Sequence, residues 1–308
     1  MEQALFVGIS LYMLVINVIA FVAFATDKRY AQRGGRRIPE RRLLFLAAAG
    51  GGLGAFLGMR ICHHKTQKRR FKLWVPLLAV LQLLLFGCFV ALNVYAADYY
   101  HADERAQAAL ASDDAVTVRE QGSDYLFDGP GTEALLVFYP GAKVQTEAYA
   151  PLMREVAAGG VDCVLVDMPY YLAFFGLNRA GAYLGTEGYA HYYVGGHSLG
   201  GAMAGSFAAG HAEELDGLVL LASYATSDLS ESGLAVLSAY GSEDGVLNRE
   251  SYAKNYGHLP ADTQELVIAG GNHAQFGDYG AQAGDGTAQI SAEEQQALTA
   301  EAIVALAQ

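Results

Sequence analysis

Ser198 stands in the run Gly196-His197-Ser198-Leu199-Gly200-Gly201. A serine with glycines two residues before and two residues after has the pattern of a nucleophile elbow, a sharp turn in which only glycine leaves room for the neighbouring backbone. A serine hydroxyl is a weak nucleophile until a base takes its proton and an acid orients that base. Both partners follow: Asp244 in Gly241-Ser242-Glu243-Asp244-Gly245, with Glu243 as a rival, and His273 directly after Gly270-Gly271-Asn272. Acyl transfer also needs N–H donors where negative charge develops. Leu199, just past the serine, supplies one, and Gly141 or Ala142, after Pro140, supplies a second. His197 fills the variable position of the elbow, and His191, His211 and His258 read as surface or helix-end residues. No histidine, cysteine and carboxylate in this region share metal-ligand spacing, and no cofactor is implied.

These residues can act together only on a scaffold that gathers them. Each follows a short apolar run that reads as a buried strand: residues 134–139 before the Gly141/Ala142 pair, 192–195 before Ser198, 234–240 before Asp244 and 265–269 before His273. Residues 163–168 and 217–224 are further strands. Residues 199–209 are small and helix-compatible, so the first N–H groups of that helix face the charge developing beside Ser198. Residues 146–158 form an amphipathic helix. Strands alternating with helices predict an α/β class with a mostly parallel sheet.

From about residue 110 to the end, the chain resembles the α/β-hydrolase superfamily, and within it the small lidless proteins similar to dienelactone hydrolases. The likeness rests on FYPGAKV from Phe138, MPYYLAFFGLNRA from Met168, GGHSLGG from Gly195, GSEDGV from Gly241 and GGNHAQFGDYG from Gly270. The resemblance implies a Ser198, Asp244, His273 triad, in the chain order of that superfamily, acting on an ester-like bond. Dienelactone hydrolases proper use a cysteine nucleophile, so their lactone substrate does not carry over to Ser198. Residues 225–233 are too few for the cap that larger relatives insert there, so the site is expected to be open, shallow and suited to a small substrate. Phe174, Phe175, Phe276 and Tyr279 are candidates to line the pocket, or else to pack beside it.

Composition divides the chain near Ala97. Of its 20 Lys and Arg, 13 precede that point, opposed only by Glu2, Asp27 and Glu40, whereas the remainder carries 7 basic against 29 acidic residues. So acidic a domain excludes nucleic acid as a partner. Cys62, Cys88 and Cys163 suggest no disulfide framework. Residues 4–25 and 73–97 are apolar runs interrupted only by Ser10 and Asn17 in the first and Gln82 and Asn93 in the second, and each exceeds the ~20 residues that span a bilayer. Residues 43–59 are a shorter apolar run with Gly50, Gly54 and Gly58 on one helical face, which would let another helix approach closely.

That middle run either spans or re-enters. Basic residues flank it on both sides, so if all are cytoplasmic the run dips back and the acidic domain lies outside the cell. This is the expected topology. The membrane region resembles a short bacterial membrane family of uncharacterised function, through Thr26-Asp27-Lys28, Arg37-Ile38-Pro39-Glu40, residues 50–55 and His64-Lys65-Thr66. Asp27, His63 and His64 are expected to belong to a solvated basic collar, the alternative being a polar site. The sequence thus predicts a multi-pass module (1–97), a linker (98–114) and an α/β-hydrolase domain (115–308). Together these are expected to form a membrane-anchored serine hydrolase of carboxylesterase type. The lipid bilayer and a small ester-like molecule are its partners. An amidase or thioesterase on the same triad, or a non-catalytic binding or regulatory hydrolase fold, are the alternatives.

Overall fold

A computed structural model describes residues 2–131, 133–186 and 188–308. The chain divides into two compact units, Met1–Ala97 and Asp98–Gln308.

In the first unit, helix α1 (Glu2–Arg33) is followed by α2 (Glu40–Leu46), a π-type turn (Ala47–Gly51), α3 (Gly52–Ile61) and α4 (Arg69–Ala97). Three segments, Ala4–Arg33, Glu40–Ile61 and Arg69–Ala97, are long and apolar enough to cross a membrane. The middle one is broken: Ala49 and Gly50 leave helical geometry, Gly50 with φ 101°. A break in a bilayer strands backbone N–H groups that must find partners within the protein. Here the side chains that interrupt the flanking apolar runs supply them. Asn17 Oδ1 accepts from Gly54 N at 2.7 Å, and Gln82 Oε1 accepts from Leu53 N at 2.9 Å. Asn17 Nδ2 also donates to Gly50 O at 3.0 Å. The expected close approach is present at two of the three glycines. A Cβ on Gly54 would lie 1.9 Å from Asn17 O, and one on Gly58 would lie 2.8 Å from the Phe24 Cβ. Gly50 instead serves the break.

The collar is not solvated as expected. Asp27 and His64 are buried; Asp27 Oδ2 meets His64 Nε2 at 2.7 Å and Lys65 Nζ at 3.5 Å, and its Oδ1 accepts from Ile38 N at 2.8 Å. Lys65 and Lys68 both bond Glu40, at 2.9 and 2.7 Å. The loops are stitched by a buried carboxylate that each neighbour satisfies, because a charge leaves water only where it is paired. His63 stays outside this cluster.

In the second unit, α5 (Glu104–Ala108) precedes the hairpin β1 (Thr117–Gln121) and β2 (Asp124–Asp128). Then follow β3 (Ala134–Tyr139), α6 (Ala150–Ala158), β4 (Asp162–Leu165), β5 (His191–His197), α7 (Leu199–His211), β6 (Gly217–Leu221), β7 (Ala235–Gly241), α8 (Arg249–Asn255), β8 (Gln264–Ile268) and α9 (Ala292–Ala307). The strands form one sheet in the order β1-β2-β4-β3-β5-β6-β7-β8. It is parallel from β4 to β8, and β1 and β2 add antiparallel. Every residue of β3 is buried, as a central strand covered on both faces requires. Leu136 and Phe138 point to a core shared with Leu152 and Val156 of α6 and Ile303 of α9. Leu135 and Val137 point to a second core with Ala204 and Phe207 of α7.

Residues 98–114, expected as a linker, are folded onto this unit. Ala106 is fully buried, and Tyr100, Ala102, Ala109 and Leu110 pack on the first core. Arg105 Nη1 donates to both oxygens of Asp278, each at 2.8 Å. The chain leaves β3 for β4 on one side and later returns to lay β5 on the other. The crevice above β3 and β5 is therefore a topological switch point, where open parallel sheets bind ligands at the carboxyl ends of their strands.

Candidate active site

Ser198 sits at that crevice. It follows β5 directly, begins α7, and has φ 53° and ψ −122°, a conformation that costs a non-glycine residue on the order of 1–3 kcal/mol. The surroundings hold it there: Ser198 N donates to Leu221 O at 2.9 Å, and Ser223 Oγ donates to Ser198 O at 2.8 Å. The flanking glycines are obligatory for space. A Cβ on Gly196 would lie 2.5 Å from the carbonyl carbon of Gly200, and one on Gly200 would lie 2.1 Å from Tyr139 O. The serine side chain remains partly exposed at the end of a strand whose last five residues are buried.

Asp244 follows β7 and His273 follows β8, so neighbouring strands deliver both to the same end of the sheet. Their side chains meet: His273 Nδ1 is 2.9 Å from Asp244 Oδ2, both groups being buried. The other oxygen, Oδ1, accepts from Val246 N at 2.9 Å and Leu247 N at 2.8 Å. Burial pushes the Asp244 carboxyl up. The bond to His273, its charge and the two N–H donors outweigh this and hold the group below its usual value. The rival Glu243 turns to Ser242 Oγ at the surface. His273 Nε2 is buried and has no hydrogen-bond partner among the described residues. With Nδ1 donating to a carboxylate, Nε2 is the acceptor of the neutral tautomer.

Two positioning groups escaped the sequence reading. Asp285 Oδ1 accepts from Gly245 N at 3.1 Å, His273 N at 3.2 Å and Gly286 N at 2.8 Å, while its Oδ2 accepts from Ala274 N at 2.9 Å. One carboxylate thus ties the turn of Asp244 to the turn of His273. Gln295 of α9, fully buried, accepts from Asn272 N at 2.9 Å and donates to Asn272 O at 2.8 Å. A polar residue on the buried face of a helix is the signal for such a role, but it is readable only once the packed face is known.

On the opposite wall, Gly141 N donates to Tyr149 Oη at 3.0 Å, and Tyr149 Oη lies 2.8 Å from His197 Nδ1. The hydroxyl accepts from Gly141 and shares a hydrogen bond with the His197 ring. Burial, then the neighbouring His273, push the His197 imidazole well below its usual value. Burial thus favours the uncharged ring, whose centroid lies 4.5 Å from that of His273. No hydrogen bond among the described residues occupies the N–H of Ala142 or Leu199. Of the two oxyanion candidates after β3, Gly141 is engaged and Ala142 is open.

The four aromatic candidates do not converge. Phe276 and Tyr279 belong to the core behind the histidines, the Phe276 ring 5.6 Å from His197. Phe174 and Phe175 stand in solvent after β4, 50% and 45% exposed. Among the described residues no group of histidine, cysteine and carboxylate side chains could hold a metal ion.

A family model described as "Alpha/beta hydrolase family" matches residues 135–297. Similar solved structures include a predicted CIB-like hydrolase from Thermoplasma acidophilum, at 13% identity and TM-score 0.49, covering 62% of this chain and 99% of that one. Est1E from Butyrivibrio proteoclasticus is 13% identical with TM-score 0.47, over 63% of this chain and 99% of its own. A dienelactone hydrolase from Anabaena variabilis is 14% identical with TM-score 0.43, over 60% and 94%. Residues 17–71 match a family described as "Protein of unknown function (DUF1294)". The uncharacterized protein YsdA of Bacillus subtilis (strain 168) is 41% identical over 81 residues, 26% of this chain and 91% of that protein.

Proposed function

The chain belongs to the α/β-hydrolase family through its second unit and to the family of the Bacillus subtilis relative through its first, and on that premise we propose that it is a membrane-anchored serine hydrolase cleaving an ester-like bond of a small substrate. The observation that carries this reading is the bond from His273 Nδ1 to Asp244 Oδ2 at 2.9 Å, with His273 Nε2 left unpaired at the sheet end where Ser198 holds its strained elbow.

In this reading His273 Nε2 takes the proton of Ser198 Oγ as the oxygen attacks the acyl carbon. Asp244 fixes the ring and stabilises the imidazolium without itself becoming protonated. The N–H groups of Leu199 and Ala142 receive the oxyanion, a donor of this kind contributing about 3 kcal/mol. His273 then passes the proton to the leaving group, and water repeats the sequence on the acyl-enzyme. An amide or thioester could enter the same cycle, and the strongly acidic surface favours neutral or cationic substrates.

Hydrolysis of 4-nitrophenyl acetate by the full chain in detergent tests the proposal. Ser198→Ala and His273→Ala should each lower kcat by on the order of a millionfold, and Asp244→Asn by on the order of ten-thousandfold. Unchanged turnover in Ser198→Ala, with the protein folded, would dismiss Ser198 as nucleophile.

A further inference from the structure

The last candidate span ends at Ala97, and the residues that follow build the rim of the candidate site. Asp98 Oδ2 is 3.0 Å from Lys143 Nζ. Tyr100 N donates to Lys143 O at 2.7 Å, and Gln145 N donates to Tyr100 O at 2.9 Å. Tyr100 thereby pairs in parallel with Val144, lining the edge of the loop that carries Gly141 and Ala142. Lys143 N in turn donates to Tyr171 O at 2.8 Å. The Tyr99 ring stacks on Tyr171, with centroids 4.2 Å apart and planes 27° apart. A second group of rings belongs to the same segment, Tyr170 with Phe175 at 5.6 Å and Phe174 with Phe175 at 4.2 Å. Two adjacent exposed phenylalanines, three and four residues after the stacked Tyr171, form an apolar ledge of the kind that marks an interaction surface.

Chain length says what covers it. No charged residue lies between Lys72 and Asp98, so the apolar stretch runs to Ala97. Tyr99 is two residues further, at most ~7–8 Å along the chain. The headgroup layer on each side of a bilayer is of similar depth, roughly 5–8 Å, and it is where tyrosine rings collect. Chain length therefore lets Tyr99 lie at headgroup level, and the Tyr171 ring is stacked upon it. We propose that the ledge of Tyr99, Tyr171, Phe174 and Phe175 is a bilayer-contact surface. Resting on the hydrolase reading above, we further infer that the ester reaching Ser198 enters from the membrane interface as a small amphiphile that partitions into lipid. The lipid is zwitterionic. The unit carries 7 basic against 29 acidic residues, which an anionic surface would repel, and the ledge itself is neutral.

The test uses the full chain reconstituted in phosphatidylcholine vesicles with brominated acyl chains, which quench indole emission on contact. Trp74 is the single tryptophan, so Trp74→Phe gives a silent background for Phe174→Trp. Val267→Trp, on the exposed face of the edge strand β8 (47% exposed), is the control. The proposal expects strong loss of emission for the Phe174→Trp reporter and none for Val267→Trp. Equal and weak quenching at both positions overturns the contact surface. Adding plain phosphatidylcholine vesicles should raise the turnover of a decanoyl ester by the wild-type chain and leave that of its acetyl homologue unchanged. Vesicles that lower turnover of the decanoyl ester overturn the interfacial route even where quenching is seen. Quenching is independent of catalysis, so an inactive protein with a quenched reporter refutes the hydrolase reading and leaves the ledge standing.

Discussion

His197 occupies the one position of the elbow that the motif leaves free, yet it is more enclosed than the serine beside it. Its Nδ1 lies 2.8 Å from Tyr149 Oη, and that hydroxyl accepts from Gly141 N, so both walls of the crevice share one hydrogen-bonded chain. A buried neutral histidine makes stability depend on pH. Its native pKa is lowered, so on acidification the unfolded chain takes a proton that the native state does not. The full stability is present above about 6.5 and is lost, at up to about 1.4 kcal/mol per pH unit for this group, as pH falls from there toward the native value. Chemical denaturation of the full chain between pH 7.5 and 5.5 should show that decline, and His197→Gln should flatten it. An equal slope in the variant would remove His197 as its source. Tyr149→Phe should cost about 1–3 kcal/mol by leaving buried partners unpaired. The midpoint of the same titration reads that loss.

Elements explain which residues could be recognised in advance. That Ser198, Asp244 and His273 share one end of the sheet was legible because each follows an apolar run that becomes a parallel strand, and the sheet brings strand ends together without regard to sequence distance. That Gly141 N–H is engaged while Ala142 N–H stays open was not legible, since it turns on Tyr149 reaching back across the crevice. The β1–β2 hairpin was missed because β1, TVREQ, is polar and mostly exposed at the sheet edge. The 98–114 segment read as a linker because its packing residues are scattered among alanines and charges and show no period. Asn17 and Gln82 read as mere interruptions of apolar runs. Their role depends on a break in a third helix, since they supply the acceptors that α3 lacks at its start. Asn17→Leu should therefore destabilise the first unit by about 1–3 kcal/mol, and Gly54→Leu should do more damage because its side chain has no space. Both are measured as a lowered thermal midpoint of the detergent-solubilised chain, and a Gly54→Leu protein as stable as the parent would contradict the close helix approach.

The whole molecule joins a basic helical module to an acidic hydrolase-family unit, and the side of the membrane on which that unit lies decides which substrates it meets. We propose the extracytoplasmic side. The bases on both flanks of the middle segment support this reading, as does the break at Gly50, since interrupted helices are tolerated at membrane depth only where protein covers them. An alkaline phosphatase fusion after Gln308 should be active; an inactive fusion, with a fluorescent cytoplasmic reporter glowing at the same junction, would place the unit inside. On either side the chemistry stands or falls on one serine. The most direct measurement is to treat membranes containing the full chain with a fluorophosphonate, digest the protein and locate the adduct by mass spectrometry. A single adduct on Ser198 is expected, lost in Ser198→Ala and greatly slowed in His273→Ala. An unlabelled wild-type chain, or an adduct on any other residue, would contradict it.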